Sequence, residues 1–391
     1  MTLARLRYRL PCPMWIGVLL AVWPGAPWVA RADVAEEQMR ARTLVQELGN
    51  GSFVVRKRAM NDLVKIGLPA LVALEAGADS PNREISYRCQ RVLIVVRDLD
   101  LQRRLVLFLR DANPAKYKLP GWTQFERWVG NSAESRQVFV AMQKADAALM
   151  LAIAGNGRGL SEMTRSRLLS VQRRSREPGE LGIGVTSAIL FAVADERVPI
   201  TQEVASRVYG LAIDTRVRGL IGGDDGVAKT MRVLLARCLR KQDKTDPYPA
   251  LLVSMQYELE EALMFAIRVL TVGKRSANAR KMALLAINRY GNAGHRAQVQ
   301  PLLEDKSILP APGGEQRVKV QVRDIALATL LTLSKLDHKT HGFPHVRIDQ
   351  LKRFDVSSLE FASDGDRQAA LDKWEKIKPP AAATPEGAPG P

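Results

Sequence analysis

The sequence predicts an all-α chain of helical hairpins stacked as an α-solenoid, with a less regular helical centre. Three observations carry that expectation. Ala59-x3-Leu63-x3-Gly67 recurs as Ala283-x3-Ile287-x3-Gly291 and, less completely, as Ala326-x3-Leu330-x3-Ser334. The last two copies stand about 43 residues apart, inside the roughly 40–47-residue period of stacked helix pairs. A small residue followed by apolar ones at every fourth position marks a helix face packed on a neighbour, and the closing glycine is expected to end the helix in a left-handed cap.

Residues 1–32 read as an export signal. Arg5, Arg7 and Arg9 form a basic start, Met14 to Val22 is a short apolar run, and Ala30-Arg31-Ala32 fits the small-x-small cleavage rule, with Asp33 first in the mature chain. A retained anchor is the rival reading, but the run is shorter than the ~20 apolar residues a bilayer requires. No later stretch is long and apolar enough to cross, so stable membrane insertion is not expected and a periplasmic or secreted location is. Cys12 precedes the apolar run and does not resemble a lipidated cysteine.

Residues 33–98 form the first block of repeats. Ser52 caps a helix with Phe53, Met60, Leu63 and Val64 on its buried side, ending at Gly67. Pro69 opens a second helix, where its missing N–H costs nothing, with Leu71, Val72 and Leu74 as its apolar residues. Ser80 and Pro81 restart the pattern for a helix carrying Ile85, Cys89, Val92, Leu93 and Val96. Residues 99–250 stay helical in pattern without a clear repeat: Trp122, Phe125 and Val129 make one stripe, and Val138, Met142, Ala145 and Leu149 another. Gly182-Ile183-Gly184 and Gly222-Gly223-Asp224-Asp225-Gly226 read as loops, the second without the alternating ligands of a calcium loop. Residues 251–378 resume the repeat, with Leu259, Leu263, Ala266, Ile267 and Leu270 as a stripe, a helix over Met282–Tyr290, and Val299, Leu302 and Leu303 after it. Pro310 to Gly314 is a loop, Arg323 to Ala328 opens the last patterned helix, and residues 379–391 are a disordered Pro/Ala-rich tail.

The block Ser52-Phe53-x2-Arg56-x2-Ala59-x3-Leu63-x3-Gly67-x-Pro69-Ala70-Leu71 resembles a HEAT repeat, and more narrowly the repeats of exported HEAT-containing proteins of the planctomycete bacterial type. Gly121-Trp122-x2-Phe125-x3-Val129-Gly130, with Ser135-Arg136-x2-Phe139-Val140-x-Met142, is similar to the same group. So is Val322-Arg323-Asp324-Ile325-Ala326-Leu327-Ala328 with His341-Gly342-Phe343. The resemblance implies an armadillo-like protein-interaction scaffold and assigns no catalytic residue.

The chain carries a formal charge of +17 and a pI near 10.0. Loss of Arg5, Arg7, Arg9 and Arg31 with the signal leaves about +13, a balance that favours anionic partners, although many solvated helix faces rich in Arg and Lys would produce it too. Arg165, Arg167, Arg173, Arg174 and Arg176 spread around their helix, which does not suit tracking a line of phosphates. Cys89 and Cys238 sit in apolar stripes on separate helices, where a disulfide is not expected.

Catalytic patterns are missing. Gly155-x-Gly157-x-Gly159 lacks the lysine and strand of a phosphate loop, and no Gly-x-Ser-x-Gly elbow occurs. His338, His341 and His345 could hold zinc or copper if a turn brought them together, but Gly342 and Pro344 break any shared helix face. No metal ligand, cofactor or catalytic residue is assigned, and His295 has no neighbouring partner. The expected function is an exported scaffold for protein–protein interaction, without catalysis. The alternative is a basic binder of an anionic polymer or envelope surface.

Overall fold

Short polar breaks divide the chain into eighteen α-helices in a computed structural model that describes residues 27–173, 181–242, 244–272, 275–309 and 320–377. Residues 1–26 of the signal expected over residues 1–32, the loop Pro310–Gly314 and the tail 379–391 lie outside the described residues. Two isolated antiparallel bridges, Ile308 with Gln321 and Ile348 with Phe354, are the only β pairing among those described. The chain is all-α. It divides into two compact units, Met1–Leu107 and Phe108–Pro391.

The first unit contains α1 (Pro27–Glu47), α2 (Phe53–Ile66), α3 (Leu71–Ala78) and most of α4 (Arg83–Arg110). Helix α1 runs through the expected cleavage junction after Ala32. It packs on α2, on the 3-10 turn Leu68–Ala70 and on α3. Ala41, Leu44, Val45, Leu48, Ala59, Leu63 and Leu74 make the core with the predicted stripe Ile85, Cys89, Val92, Leu93 and Val96 of α4. Arg88 Nη1 donates to Met60 Sδ at 3.3 Å, and Arg97 pairs with Glu75 at 2.8 Å, tying α4 to α2 and α3.

Several local expectations change here. Phe53 is 60% exposed and Val72 is 64% exposed, so neither belongs to a buried stripe; Ala59 and Leu63 hold α2, and Ala73, Leu74 and Gly77 hold α3. Phe53 opens the first turn of α2, ahead of its first buried residue, Ala59, and Val72 precedes the buried Ala73 and Leu74 of α3. Ser52 occupies the N-cap without a side-chain bond; its own N–H donates to Asn50 Oδ1 at 2.8 Å. Gly67 takes a positive φ of 72° while its N–H closes on Leu63 O at 3.1 Å. Gly291 makes the same bond to Ile287 O at 2.7 Å with an extended backbone (φ −78°), and with ψ at −130° Gly67 is not left-handed helical either, so neither glycine closes its helix in the expected left-handed cap. At Gly291 a Cβ would lie 2.4 Å from Ile287 O, and crowding selects glycine instead. Helix α4 is also not short: it spans 28 residues and carries the expected 98/99 junction in its interior.

The second unit continues with α5 (Trp122–Val129), α6 (Ala133–Ala145), α7 (Ala147–Ala154), α8 (Leu160–Arg173), α9 (Ile183–Ala194), α10 (Gln202–Ile213), α11 (Thr215–Gly222) and α12 (Gly226–Arg240). Helix α9 overturns the loop expected at Gly182-Ile183-Gly184. Gly182 is its N-cap, and Thr186 through Ala194 are all buried under α6, α7, α8 and α12. A continuous apolar run shows no one-sided period, which hid this helix from the pattern. Phe108, Trp122, Phe125, Phe139 and Phe191 interlock beside it, with Phe125 and Phe191 centroids 5.5 Å apart. The stripe expected over Val138, Met142, Ala145 and Leu149 is broken at Asp146, where α6 and α7 bend by 108°, leaving Ala145 exposed. Asp225, in the other glycine-rich segment, caps α12 by accepting from Ala228 N at 2.7 Å.

Then follow α13 (Pro247–Gln256), α14 (Glu261–Thr271), α15 (Ala277–Tyr290), α16 (Arg296–Val299), α17 (Val322–Leu333) and α18 (Asp364–Ile377). The expected 250/251 junction falls inside α13. Neighbours pack in chain order, α13 on α14, α14 on α15 and α15 on α17. Because α14 is covered on two sides, its buried row is Ala262, Phe265, Ala266 and Val269, while Leu263, Ile267 and Leu270 of the expected stripe are half-buried. Helix α18 is held to α17 by the ion pair of Arg367 Nε with Asp324 Oδ1 at 2.7 Å, both side chains almost wholly buried.

Candidate interaction surface

In the first unit the outer side of α2 and the neighbouring face of α4 leave a trough of about 520 Å³. Met60, Val64, Val92 and Val95 form its apolar part, Asn61 and Lys65 one rim and Arg91 the other. A second hollow of about 450 Å³ continues along α2 past Phe53, Val54, Lys57 and Arg58, sharing Asn61 and Lys65 with the first. Lys57, Asn61 and Lys65 recur every four residues and so share one edge of the helix. The surface is apolar in the middle and cationic around it.

Its only carboxylate is Asp62. Asp62 pairs with Lys65 Nζ at 3.1 Å and with Arg58 Nε at 3.7 Å, and the Lys65 hydrogen bond holds the Asp62 carboxyl below its usual range. Arg91 lies 5.8 Å from the Tyr87 ring centroid and 3.4 Å from its hydroxyl. Among the described residues no carboxylate lies within ion-pair distance of Lys57 or Arg91. Tyr87, Ile94 and Val95 extend the exposed apolar area along α4. Sequence reasoning missed these residues. The signal was the run Leu93-Ile94-Val95-Val96: a helix covered on one side cannot bury four consecutive apolar residues.

Other expected features are absorbed by structure. In the second unit a cavity of about 460 Å³ adjoins Ala145, Arg167, Ser170, Leu181 and Ile189. Its polar groups are already engaged: Arg167 grips Asp146 through contacts of 2.5 and 3.2 Å, and Ser170 Oγ donates to Arg167 O at 2.8 Å. Arg165 pairs with Glu203 at 3.1 Å; residues 174–180, with Arg174 and Arg176, lie outside the described residues. Arg197 donates to Gly155 O and Ile153 O at 2.8 and 2.6 Å, closing the glycine turn that a phosphate would have to enter.

The histidines have separate roles. His338 Nε2 donates to Ala328 O at 3.0 Å, and its ring meets Phe354 edge to face. His341 Nδ1 bonds to Asp337 O at 2.6 Å, while His345 is exposed. His295 Nδ1 accepts from Asn292 N at 3.2 Å. Among the described residues no three His, Cys, Asp or Glu side chains converge on a metal position. Cys89 and Cys238 are free and buried, and desolvation pushes their thiols up to about 11 and about 12, far from nucleophilic thiolates at neutral pH.

No family model matches the chain, and no curated protein or solved structure matches it.

Proposed function

We propose that the chain is an exported α-helical repeat scaffold that binds another protein and performs no catalysis. One observation carries this reading. Of twenty-three large apolar side chains exposed among the described residues, twelve lie between Val34 and Leu107, in the smaller of the two units. Helical arrays end soluble in polar outer faces, and a contiguous apolar patch rimmed by polar groups marks an interaction site. The chain-order packing of α13, α14, α15 and α17 supports the stacked-repeat part of the proposal. The location outside the cytoplasm rests on the N-terminal pattern alone.

A second reading is favoured by Lys57, Arg58, Lys65 and Arg91: a charge-driven binder of an anionic polymer or envelope surface. Salt separates the two. The chain from Asp33 onward is immobilised and exposed to envelope extract at low salt and at ~1 M, where the Debye length is about 3 Å. One defined protein retained at high salt by the parent, and lost with Val95→Asp, is the result expected for the scaffold. Release of all bound material at high salt, with acidic polymer in the low-salt eluate, overturns it for the charge-driven binder.

A further inference from the structure

We infer that the α2–α4 trough receives one acidic amphipathic helix of a partner protein. This rests on the protein-binding reading and specifies its ligand. The shape argues first. Met60 and Val92 lie inward of the exposed Val95 and of the Lys65 and Arg91 rims, so the apolar part is recessed between two helices. A flat bilayer surface cannot follow such a trough to its base, whereas a side-chain row on a helix can, as in helix-in-groove recognition.

Charge argues second. Lys57 and Arg91 have no carboxylate partner within the first unit, and Lys65 shares Asp62 with Arg58. Lys65 and Arg91 on the trough, with Lys57 and Arg58 on the hollow that adjoins it along α2, make four cations around one acid, so a basic or neutral ligand would leave them uncompensated. Spacing argues third. Lys57, Asn61 and Lys65 are separated by about 6 Å per step along α2, the rise of four helical residues. Glutamates or aspartates eight apart on a docked helix match Lys57 and Lys65, with a polar residue between them to face Asn61. The complementary ligand therefore has a Leu/Ile-type stripe flanked by acids at i and i+8.

The test is a selection of short amphipathic helices, displayed as a library varied in stripe and flanking charge, on the full chain from Asp33 onward. Asn61→Cys labelled with a fluorophore reports occupancy, since Cys89 and Cys238 are buried and escape labelling. The expected result is enrichment of helices with an apolar stripe flanked by acids, and a fluorescence change on their addition. Lys57→Glu/Arg91→Glu and, separately, Val95→Asp each weaken the selected helices at least about tenfold, equivalent to ~1.4 kcal/mol. All three positions are exposed, so an unchanged melting curve shows the fold intact.

No enrichment, or enrichment of basic or uncharged helices, overturns the inference. So does binding that both variants leave unchanged. Binding to phosphatidylglycerol vesicles that Lys57→Glu/Arg91→Glu abolishes, with no helix selected, assigns the surface to a bilayer instead. A concentration-dependent dimer abolished by Val95→Asp assigns it to a second copy. The parent reading fails separately: a protein retained at high salt equally by parent and variants preserves the scaffold and removes the trough as its site.

Discussion

Helices α4 and α9 both contain runs of consecutive apolar residues, and their surroundings treat them differently. Helix α9 is enclosed, with Ala188 through Ala194 buried without interruption. In the first unit α4 is covered on one face only: Val92, Leu93 and Val96 are buried while Ile94 is 70% exposed. Composition alone does not separate the two. Coverage does, and coverage is set by how many other helices the chain supplies. Among the described residues the larger unit leaves eleven large apolar side chains exposed over a much longer stretch, whereas the smaller one exposes twelve between Val34 and Leu107, surface that another molecule can cover.

The sharpest way to break that comparison is a pair of phenylalanine truncations. Phe125 is fully buried, with Phe139 and Phe191 centroids at 5.2 and 5.5 Å. Phe125→Ala is expected to cost about 3–5 kcal/mol. Phe53→Ala, at an exposed position, should stay within about 0.5 kcal/mol. Denaturant unfolding of the full chain measures both, and similar losses for the two would show that the smaller unit has a denser core than its exposure indicates.

A second contrast concerns charge. In the first unit Arg97 and Glu75 pair with both side chains exposed, and surface pairs of that kind contribute about 0–1 kcal/mol. Asp324 and Arg367 are buried and linked at 2.7 Å. Arg367→Met leaves a buried carboxylate whose remaining bond is from Gln321 N at 2.8 Å, and about 3–5 kcal/mol is expected to be lost. The double variant Asp324→Leu/Arg367→Met removes the stranded charge and should recover most of that loss. A double variant as unstable as the single would mean that packing, not charge, holds α18 in place.

A smaller effect is expected where α9 crosses α6. A Cβ on Gly184 would stand 2.3 Å from Ala141 O and 2.9 Å from the Ala145 methyl. Gly184→Ala therefore requires the two helices to separate, at about 1–3 kcal/mol. A neutral result in thermal or denaturant unfolding would show that the contact yields without cost.

Much of the helical pattern was legible because one-sided helices advertise themselves. Ala59 and Leu63, the α4 stripe, Trp122 with Phe125, and Ala283 with Ile287 all occupy buried positions that spacing alone identifies. Legibility failed where a helix has no polar face, as in α9, or two buried faces, as in α14. It failed too at helix starts: Phe53 matches the stripe by period but precedes the turn where packing begins. The candidate surface was hardly legible, since exposed apolar residues and core residues have the same letters. Only the excess of apolar positions in Leu93-Ile94-Val95-Val96 hinted that some had to face outward.

The smallest expected effect is a pH dependence confined to the larger unit. His338 is half-buried, its Nε2–H bound to Ala328 O and its ring against Phe354 at 5.6 Å between centroids. Desolvation lowers its pKa below the ordinary value, outweighing the Ala328 carbonyl and Asp337, which act in the opposite direction. The unfolded chain therefore takes up this proton first as pH falls, so His338 favours the fold fully above about 6.5 and loses that contribution as pH drops through the lower folded value. His338→Gln keeps an N–H donor and removes the titration. Unfolding free energies of parent and variant, compared at about pH 7.5 and 5.5, should show the steeper acid loss in the parent; above pH 5 the depressed aspartates of the fold, such as Asp111 near 2, do not add to it. Equal slopes would mean that the ring reaches water on protonation, and that the loop carrying it is held by Phe343 and Phe354, both buried, without help from the histidine.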